Sequence, residues 1–499
     1  MGSLVKLMTF ASLFVFMNCK QPIYRLGQKA KEANKKEATQ PTVTKERLAS
    51  GVTTIDANKE FYLAVWNEEF MINFAQLPKS GSVASDKLPY SGFWYPESHK
   101  GTAIRWDYYN DSALEKYDAV YNGGVNKATD WETSNHGQAA VDWAGHCNGW
   151  SAAAQRHKEP ARSVTKGNVT FEPRDIKALL AEIHMSAKPA FLGGNRCDLP
   201  SFTGPSGRSD PTVMGDCEDI NPGVMHVVIA NWIGRKQHII IMDRSAGNEV
   251  WNSPLYKYSY TSQEISKESA LQQVTGTGGG TYRFNPNAQS FALVTMSITH
   301  AKSLSSESNT APTLEPEVNS YQYVLELDGS GNIIGGEWTQ QNLGDHPDFI
   351  WLALEPVEPN GTRFYGNPNL NINEVIKLWA ESIGADPTNP PLDIMEPEWS
   401  NSWGKFASFE VALDGASTGA AFLGKNTILV IKPEGDLTAS DVTLDLTLNG
   451  VKLATLKPQG STNLVQEFTT SAGINRIDFV WKKGETELVN DFVRFHAIP

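Results

Sequence analysis

The chain carries GHCNGW at residues 145–150, directly followed by the small, helix-favouring run SAAA at residues 151–154. This pattern predicts that a helix begins at or just after Cys147. Unpaired backbone N–H groups and the helix dipole at such an N-terminus stabilise a thiolate, which is the nucleophilic form of cysteine. The stretch therefore indicates a reactive cysteine. The alternative is a structural cysteine buried beside a helix of small residues.

The overall composition is that of a globular protein. Of the 499 residues, 40% are hydrophobic and 20% are charged, and this length favours two domains with additional tails. The net charge is −13 at pH 7. Because nucleic-acid-binding proteins need a basic surface, we expect no nucleic-acid partner.

The four cysteines can each be assigned a separate role. Cys19 ends the first apolar run, and Cys197 and Cys217 flank a loop rich in Gly, Pro, Ser and Asp. A disulfide between Cys197 and Cys217 would stabilise the fold by roughly 3 kcal/mol in an oxidising compartment. This assignment leaves Cys147 for chemistry. The acidic part of the same loop, residues 210–219, is a weak candidate for calcium binding. The sequence contains no residue cluster with the spacing of metal ligands. We expect the chemistry to require no cofactor.

The N-terminus predicts export. One lysine precedes an apolar run at residues 7–17, which is too short to span a bilayer and is typical of a signal peptide ending at residue 19. Cys19 resembles a bacterial lipoprotein acylation site of the looser spirochaete type. We expect a cell-surface or outer-membrane lipoprotein held to the membrane only by its lipid, or, with plain signal cleavage, a secreted protein. Residues 20–58 are polar and lysine-rich, which is typical of a disordered tether.

Two β-favouring runs suggest how the cysteine could be activated. Residues 225–233 and 238–243 flank Gly234-Arg235, the sequence of a two-residue type II′ hairpin turn. A hairpin closed there places His226 directly opposite Asp243, whereas a longer loop would shift the register. A histidine oriented by a carboxylate is the base half of a Cys-His-Asp triad. The alternative is a half-buried histidine in an ordinary hairpin.

The rest of the chain predicts two domains. Apolar periodicity predicts helices at residues 174–183 and 372–384. It predicts strands at residues 290–298 and 321–334. After a Pro-rich linker, alternating residues and the Asn449-Gly450 turn signal predict a small β-sandwich. The sequence therefore predicts an α+β cysteine-enzyme domain over residues 59–388 and an all-β accessory domain over residues 400–499.

Three segments together resemble the transglutaminase elicitor family of oomycetes: residues 145–150, the His226 hairpin, and Val250-Trp251-Asn252-Ser253-Pro254. In that family a Val-Trp-Asn-x-Pro surface segment is the peptide that plant immune receptors perceive. Residues 336–338 and 346–351 are similar to the later part of the family. The resemblance covers roughly residues 60–385, and the signal segment suggests a bacterial member. After Pro254 the chain departs from the elicitor peptide.

The resemblance implies a papain-like fold and protein-glutamine γ-glutamyltransferase activity. The Cys147 thiolate would attack a glutamine carboxamide, and a lysine or other primary amine would resolve the thioester into an isopeptide bond. His226 would shuttle protons, Asp243 would orient its ring, and Gln138 with a backbone amide at Cys147 would stabilise the oxyanion. His346 and Asp348 form a reserve pair, for which the alternative is a structural turn.

Two other function classes stay open. The same triad makes a papain-like peptidase, amidase or deamidase when water resolves the acyl-enzyme, and the difference lies in water exclusion and amine access. A non-catalytic surface-binding protein would instead use the aromatic clusters and the C-terminal domain.

Overall fold

The computed structural model describes residues 59, 62, 66, 68–137, 141–185, 187–194, 219–245, 249–356, 366–387, 390 and, with short gaps, 408–498. Its helices are Ala113–Tyr121 (α1), Lys127–His136 (α2), Cys147–Arg156 (α3), Pro173–His184 (α4), Pro222–Ile229 (α5), Lys267–Thr275 (α6) and Ile372–Ser382 (α7), with a π-helix at Ala230–Arg235. Short 3-10 helices lie at Ser85–Lys87, Glu97–His99, Gly101–Ala103 and Gly435–Thr438.

The strands before residue 360 are Ser80–Ser82 (β1), Gly92–Phe93 (β2), Val164–Lys166 (β3), Val169–Phe171 (β4), Ala187–Gly193 (β5), Ile240–Asp243 (β6), Asn252–Ile265 (β7), Ser290–Ala301 (β8), Ser303–Leu304 (β9), Pro316–Leu327 (β10), Ile333–Trp338 (β11) and Ile350–Pro356 (β12). An antiparallel sheet dominates this part, in the order β11-β10-β8-β7-β6-β12-β5, with β1 paired to β7. The predicted strands at residues 290–298 and 321–334 are confirmed.

The two faces of this sheet carry different helices. Helix α3 lies on β7, β6 and β12, with α4 packed against α3 and α7 against α4. Helix α5 lies on the other face, against β11, β10 and β5. Strand β6 shows the alternation, because Ile241 packs in the core cluster of α3 while Ile240 and Met242 pack in the cluster of α5.

The helices predicted from apolar periodicity are confirmed. Helix α4 starts with Pro173 at its first turn, and Asp175 accepts a hydrogen bond from the backbone N–H of Glu172 at 2.8 Å. Helix α7 is capped by the Asn371 side chain, which accepts from the backbone N–H of Glu374 at 3.2 Å. Because neighbouring residues fix these two helix starts, the sequence alone locates the helices.

The predicted His226 hairpin is wrong. Residues 222–229 form helix α5 and residues 230–235 continue it as a π-helix, so His226 does not lie opposite Asp243. Asn252 on β7 is the residue that pairs with Asp243. His226 instead lies on the α5 face of the sheet, where its Nδ1 is 2.7 Å from the Tyr323 hydroxyl.

The physical reason lies in burial and close packing. A continuous apolar run does not distinguish a buried strand from a buried helix, and Asn221 with Pro222 provides a helix start: the Asn221 side chain accepts from the backbone N–H of Gly223 at 2.8 Å. Gly234 is typical of a turn in the sequence, yet in the structure a Cβ there would lie 2.5 Å from the Tyr258 hydroxyl. The missing side chain of Gly234 therefore allows Tyr258 to pack closely against the backbone.

The C-terminal part is built from strands in the residues that the structure describes there: Ser408–Leu413 (β13), Ala416–Ser417 (β14), Ala421–Phe422 (β15), Asn426–Lys432 (β16), Val442–Leu448 (β17), Val451–Leu456 (β18), Leu464–Thr469 (β19), Gly473–Lys483 (β20) and Thr486–Ile498 (β21). Two sheets, β14-β13-β16-β19 and β15-β21-β20-β17-β18, share one apolar cluster. The predicted turn is confirmed, with positive φ at Asn449 and Gly450. In the described chain, every helix is too short or too polar to traverse a bilayer.

The buried position of His226 predicts a pH effect on stability. Burial lowers the pKa of His226 to about 3. Below pH ~6.5 the unfolded chain therefore binds a proton that the folded chain does not, and stability is lost as pH falls towards 3. In His226→Asn, which keeps an acceptor near the Tyr323 hydroxyl, the free energy of unfolding should fall less steeply between pH 6 and 4, by about 1.4 kcal/mol per pH unit.

Urea unfolding at several pH values, followed by tryptophan fluorescence, measures this slope. His99→Asn, at an exposed position, serves as the matched control and should keep the wild-type slope. Equal slopes in His226→Asn and the wild type would show that His226 is not held neutral in the fold.

Candidate active site at the start of helix α3

Cys147 is the first residue of helix α3, as the sequence predicted. Its side chain is buried, and the sulfur donates to the Val250 carbonyl oxygen at 3.2 Å. The Asn252 side-chain amide donates to the same sulfur at 3.8 Å. The thiol therefore lies between a helix N-terminus and the start of strand β7, where backbone N–H groups stabilise negative charge on sulfur.

A polar stripe attaches helix α3 to the sheet. Ser151 donates to the Asn252 carbonyl oxygen at 3.1 Å, and Gln155 donates to the Ile239 carbonyl oxygen at 3.1 Å. The Gln155 side-chain oxygen also accepts from the backbone N–H of Ala353 at 2.9 Å. Cys147, Ser151 and Gln155 are spaced four residues apart and share one helix face. This spacing is visible in the sequence, but the sequence does not show what these side chains contact.

Asp243 lies near the thiol site, but it contacts backbone N–H groups and not His226. Its Oδ1 accepts from the backbone N–H of Trp251 at 2.8 Å and of Ser245 at 3.3 Å. Asp243 therefore fixes the segment that precedes Asn252. The Trp351 indole N–H donates to Asn252 Oδ1 at 2.8 Å, which orients the Asn252 amide towards the sulfur.

Two half-buried tryptophans, Trp94 and Trp251, pack beside the chain segments that contain Cys147 and its partners Val250 and Asn252. Trp94 packs on Gly145, where a Cβ would lie 2.6 Å from the indole, and the Trp94 carbonyl oxygen accepts from the backbone N–H of His146 at 2.7 Å. Trp94 and Trp251 form an edge-to-face pair with ring centroids 5.4 Å apart.

His146, directly before Cys147, points away from the sulfur into a group that we call the imidazole–carboxylate cluster: Glu132, His136, His146 and Glu182. His146 Nε2 lies 3.1 Å from Glu132 Oε1 and 3.0 Å from Glu182 Oε2. His136 Nδ1 lies 2.8 Å from Glu132 Oε2. The sequence gives no local signal of this cluster, because only Glu132 and His136 are close in the chain.

Mutual contacts shift the pKa values in the cluster. Burial alone would lower the pKa of His146, but the carboxylates of Glu132 and Glu182 outweigh burial and hold it well above the usual range. Burial would raise the pKa of Glu132, yet its contacts with His146 and His136 hold it well below the usual range. The cluster therefore favours a cation between its carboxylates.

His226 does not reach this site. Its ring contacts Tyr260 and Tyr323, which belong to the core cluster of one sheet face, whereas Cys147 belongs to the cluster of the other face. The reserve residue His346 is stacked on Trp338, with its Nε2 3.7 Å from Asp219 Oδ2, and the backbone N–H of Asp348 donates to the Asp243 carbonyl oxygen at 3.2 Å. The predicted triad geometry is thus replaced by Cys147, Asn252 and Asp243 around one helix start.

Other predicted positions lie outside the described residues. These are the oxyanion candidate, the disulfide pair, the lipidation site and most of the acidic loop: Gln138, Cys197, Cys217, Cys19 and residues 210–218. They stay predictions.

The comparisons with known proteins agree with this architecture. The family model "Transglutaminase elicitor" matches residues 127–383, more than half of the chain. The crystal structure of the GP42 transglutaminase from Phytophthora sojae is similar at a TM-score of 0.52 and 24% identity, over 66% of this chain and 97% of that chain. An identity this low shows the shared fold alone.

Other matches add nothing to the argument. A CARDB domain of a Pyrococcus furiosus protein is 19% identical over 19% of this chain and 90% of its own, with a TM-score of only 0.14. No curated protein sequence matches the chain. By the match over residues 127–383, which include the whole of helix α3 and the Val-Trp-Asn segment, the chain belongs to the transglutaminase elicitor family.

Proposed function

We propose that this protein is a protein-glutamine γ-glutamyltransferase whose nucleophile is Cys147. The observation that carries the proposal is the position of Cys147 at the first turn of α3, against the Val250–Asn252 wall, in a transglutaminase-like fold. The mixed helix and sheet arrangement around it would correspond to the papain-like architecture, in which a helix headed by the nucleophile packs on an antiparallel sheet.

The proposed reaction has two balanced steps. The Cys147 sulfur bonds to the carboxamide carbon of a protein glutamine, the C–N bond breaks, and ammonia leaves with the thiol proton. A lysine amine, or another primary amine, then attacks the thioester, the C–S bond breaks, and the amine proton returns to the sulfur. Asn252 would support the thiolate through its amide N–H, since hydrogen bonds to charged groups contribute about 1.5–3 kcal/mol.

Asp243 and the two tryptophans would have supporting roles. Asp243 is a positioning residue, because its carboxylate holds the backbone of Trp251 directly before Asn252. Trp94 and Trp251 would limit the access of water to the thioester, which favours an amine acceptor over hydrolysis. His226 is not the general base in this proposal, since the sheet lies between it and the thiol.

A second candidate function is non-catalytic binding at a surface. It is favoured by one observation: His226, the histidine expected to act as the base, contacts Tyr260 and Tyr323 in the core cluster of the sheet face opposite to that of Cys147. In that case the C-terminal strands would provide a β-sandwich binding module, and Cys147 would be a structural residue.

Incorporation of a labelled primary amine into a glutamine-rich protein separates these functions. We expect the wild type to incorporate the amine and Cys147→Ala to lose incorporation completely. Asn252→Ala should lower the rate about 10- to 100-fold, because it removes a hydrogen bond to the charged sulfur.

Gly278→Ala is the matched control, since a Cβ there meets nothing within 4 Å, and it should retain the wild-type rate. Ammonia release without amine incorporation would move the assignment to a deamidase. Peptide cleavage would move it to a peptidase. Absence of all three activities in a folded wild type, with Cys147 inert to alkylation, would establish the binding function.

We also propose that the protein is exported, from the sequence of residues 1–19 alone. Expression of the full chain in a bacterium with radiolabelled palmitate tests the lipoprotein form. Labelling should occur in the wild type and disappear in Cys19→Ser. An unlabelled protein recovered in the medium would instead show plain secretion, and retention in the cytoplasm would contradict export.

A further inference from the structure

The imidazole–carboxylate cluster is sealed from solvent. Glu132, His146 and Glu182 are 0% exposed and His136 is 2% exposed. The four side chains come from helices α2 and α4 and from the residue that caps α3. Burying two carboxylates in this way is costly unless positive charge lies between them.

The geometry of His146 indicates where that charge must be. Its Nδ1 lies 3.2 Å from the Tyr95 carbonyl oxygen, so Nδ1 carries a proton and donates it to this acceptor. Nε2 then faces Glu132 Oε1 and Glu182 Oε2 at 3.1 and 3.0 Å. The lone pairs of Nε2 and of these two carboxylate oxygens then point at one another. They repel unless a proton or a metal ion lies between them.

Outer contacts hold both carboxylates in this orientation. Thr102 donates to both, through its backbone N–H to Glu132 Oε1 at 3.0 Å and through its hydroxyl to Glu182 Oε2 at 2.7 Å. The backbone N–H of Asn367 donates to Glu182 Oε1 at 2.9 Å. A Cβ at Gly101 would lie 1.9 Å from Glu132 Oε1, so only glycine fits there. Hydrogen bonds that orient the carboxylates in this way are typical of metal ligands.

We propose that the imidazole–carboxylate cluster binds one structural zinc ion. One ligand atom from each of the four residues lies within 4.8 Å of all the others. Zinc bonds of about 2.0–2.2 Å place tetrahedral ligands about 3.4 Å apart, which small side-chain rotations achieve here. A divalent ion with two carboxylates and two neutral imidazoles has no net charge, as full burial requires. Two nitrogen ligands favour zinc over magnesium or calcium.

The ion would act on the position of the thiol and take no part in bond making. His146 lies directly before α3, and Cys147 is the first residue of that helix. A metal bond to His146 Nε2 would therefore attach the start of α3 to helices α2 and α4. The Cys147 sulfur points the other way, to Val250 and Asn252. Zinc binding does not depend on the proposed acyl transfer.

Metal analysis of the full chain tests the proposal. After metal removal with a chelator and dialysis against zinc, the wild type should retain about one zinc per chain. Its Tm should rise by about 5 °C at zinc concentrations about 100-fold above Kd. Glu132→Gln and His136→Ala should lose the bound zinc, whereas His300→Asn, at a buried histidine paired with Asn319, should retain it.

Cobalt in place of zinc identifies the ligands in the wild type, even if a variant does not fold. Tetrahedral nitrogen and oxygen ligands give intense visible d–d bands without a sulfur charge-transfer band. A sulfur band in the near ultraviolet would assign the metal to Cys147 and overturn the proposal. A wild type that retains no zinc and shows no change in Tm would establish a cluster held by protons alone, which also overturns it.

Discussion

The site depends first on the hydrogen bonds of one buried amide, Gln155. Its two ends bond to the backbone of Ile239, directly before β6, and to the backbone of Ala353 in β12, so helix α3 cannot slide or rotate without leaving buried backbone groups unpaired. Each unpaired group costs about 1–3 kcal/mol. One and two turns earlier on the same face, Ser151 and Cys147 therefore meet β7 at fixed positions.

The start of the helix is fixed separately. His146 is held through its backbone by Trp94 and through its ring by Tyr95 and the two carboxylates of the imidazole–carboxylate cluster. The helix is thus attached to α2 and α4 through His146, the residue directly before its first turn, and along its length to the sheet. The thiol lies where these two sets of contacts meet, which explains how a buried cysteine holds one orientation between Val250 and Asn252.

The sequence predicts those helices whose positions are set by residues close together in the chain. Helix α3 begins at Cys147, and α4 and α7 begin and end close to the expected residues, because caps and periodicity are local. His226 could not be placed in this way: its apolar run suits a strand or a buried helix equally, and packing against β10 and β11 selects the helix. The pairing of Glu132 with Glu182 through His146 joins residues 50 positions apart, which no local pattern encodes.

The position of the Val-Trp-Asn segment changes the interpretation of its sequence. Its resemblance to a surface peptide suggested recognition by another molecule, yet Asn252 is 4% exposed and Ser253 is 0% exposed. Their contacts are internal: Asn252 bonds to Trp351 and Cys147, and the Trp251 backbone bonds to Asp243. A receptor could contact the Trp251 ring, but it could reach Asn252 only by opening the wall of the thiol site. Packing around Cys147 is therefore sufficient to account for these residue types at these positions.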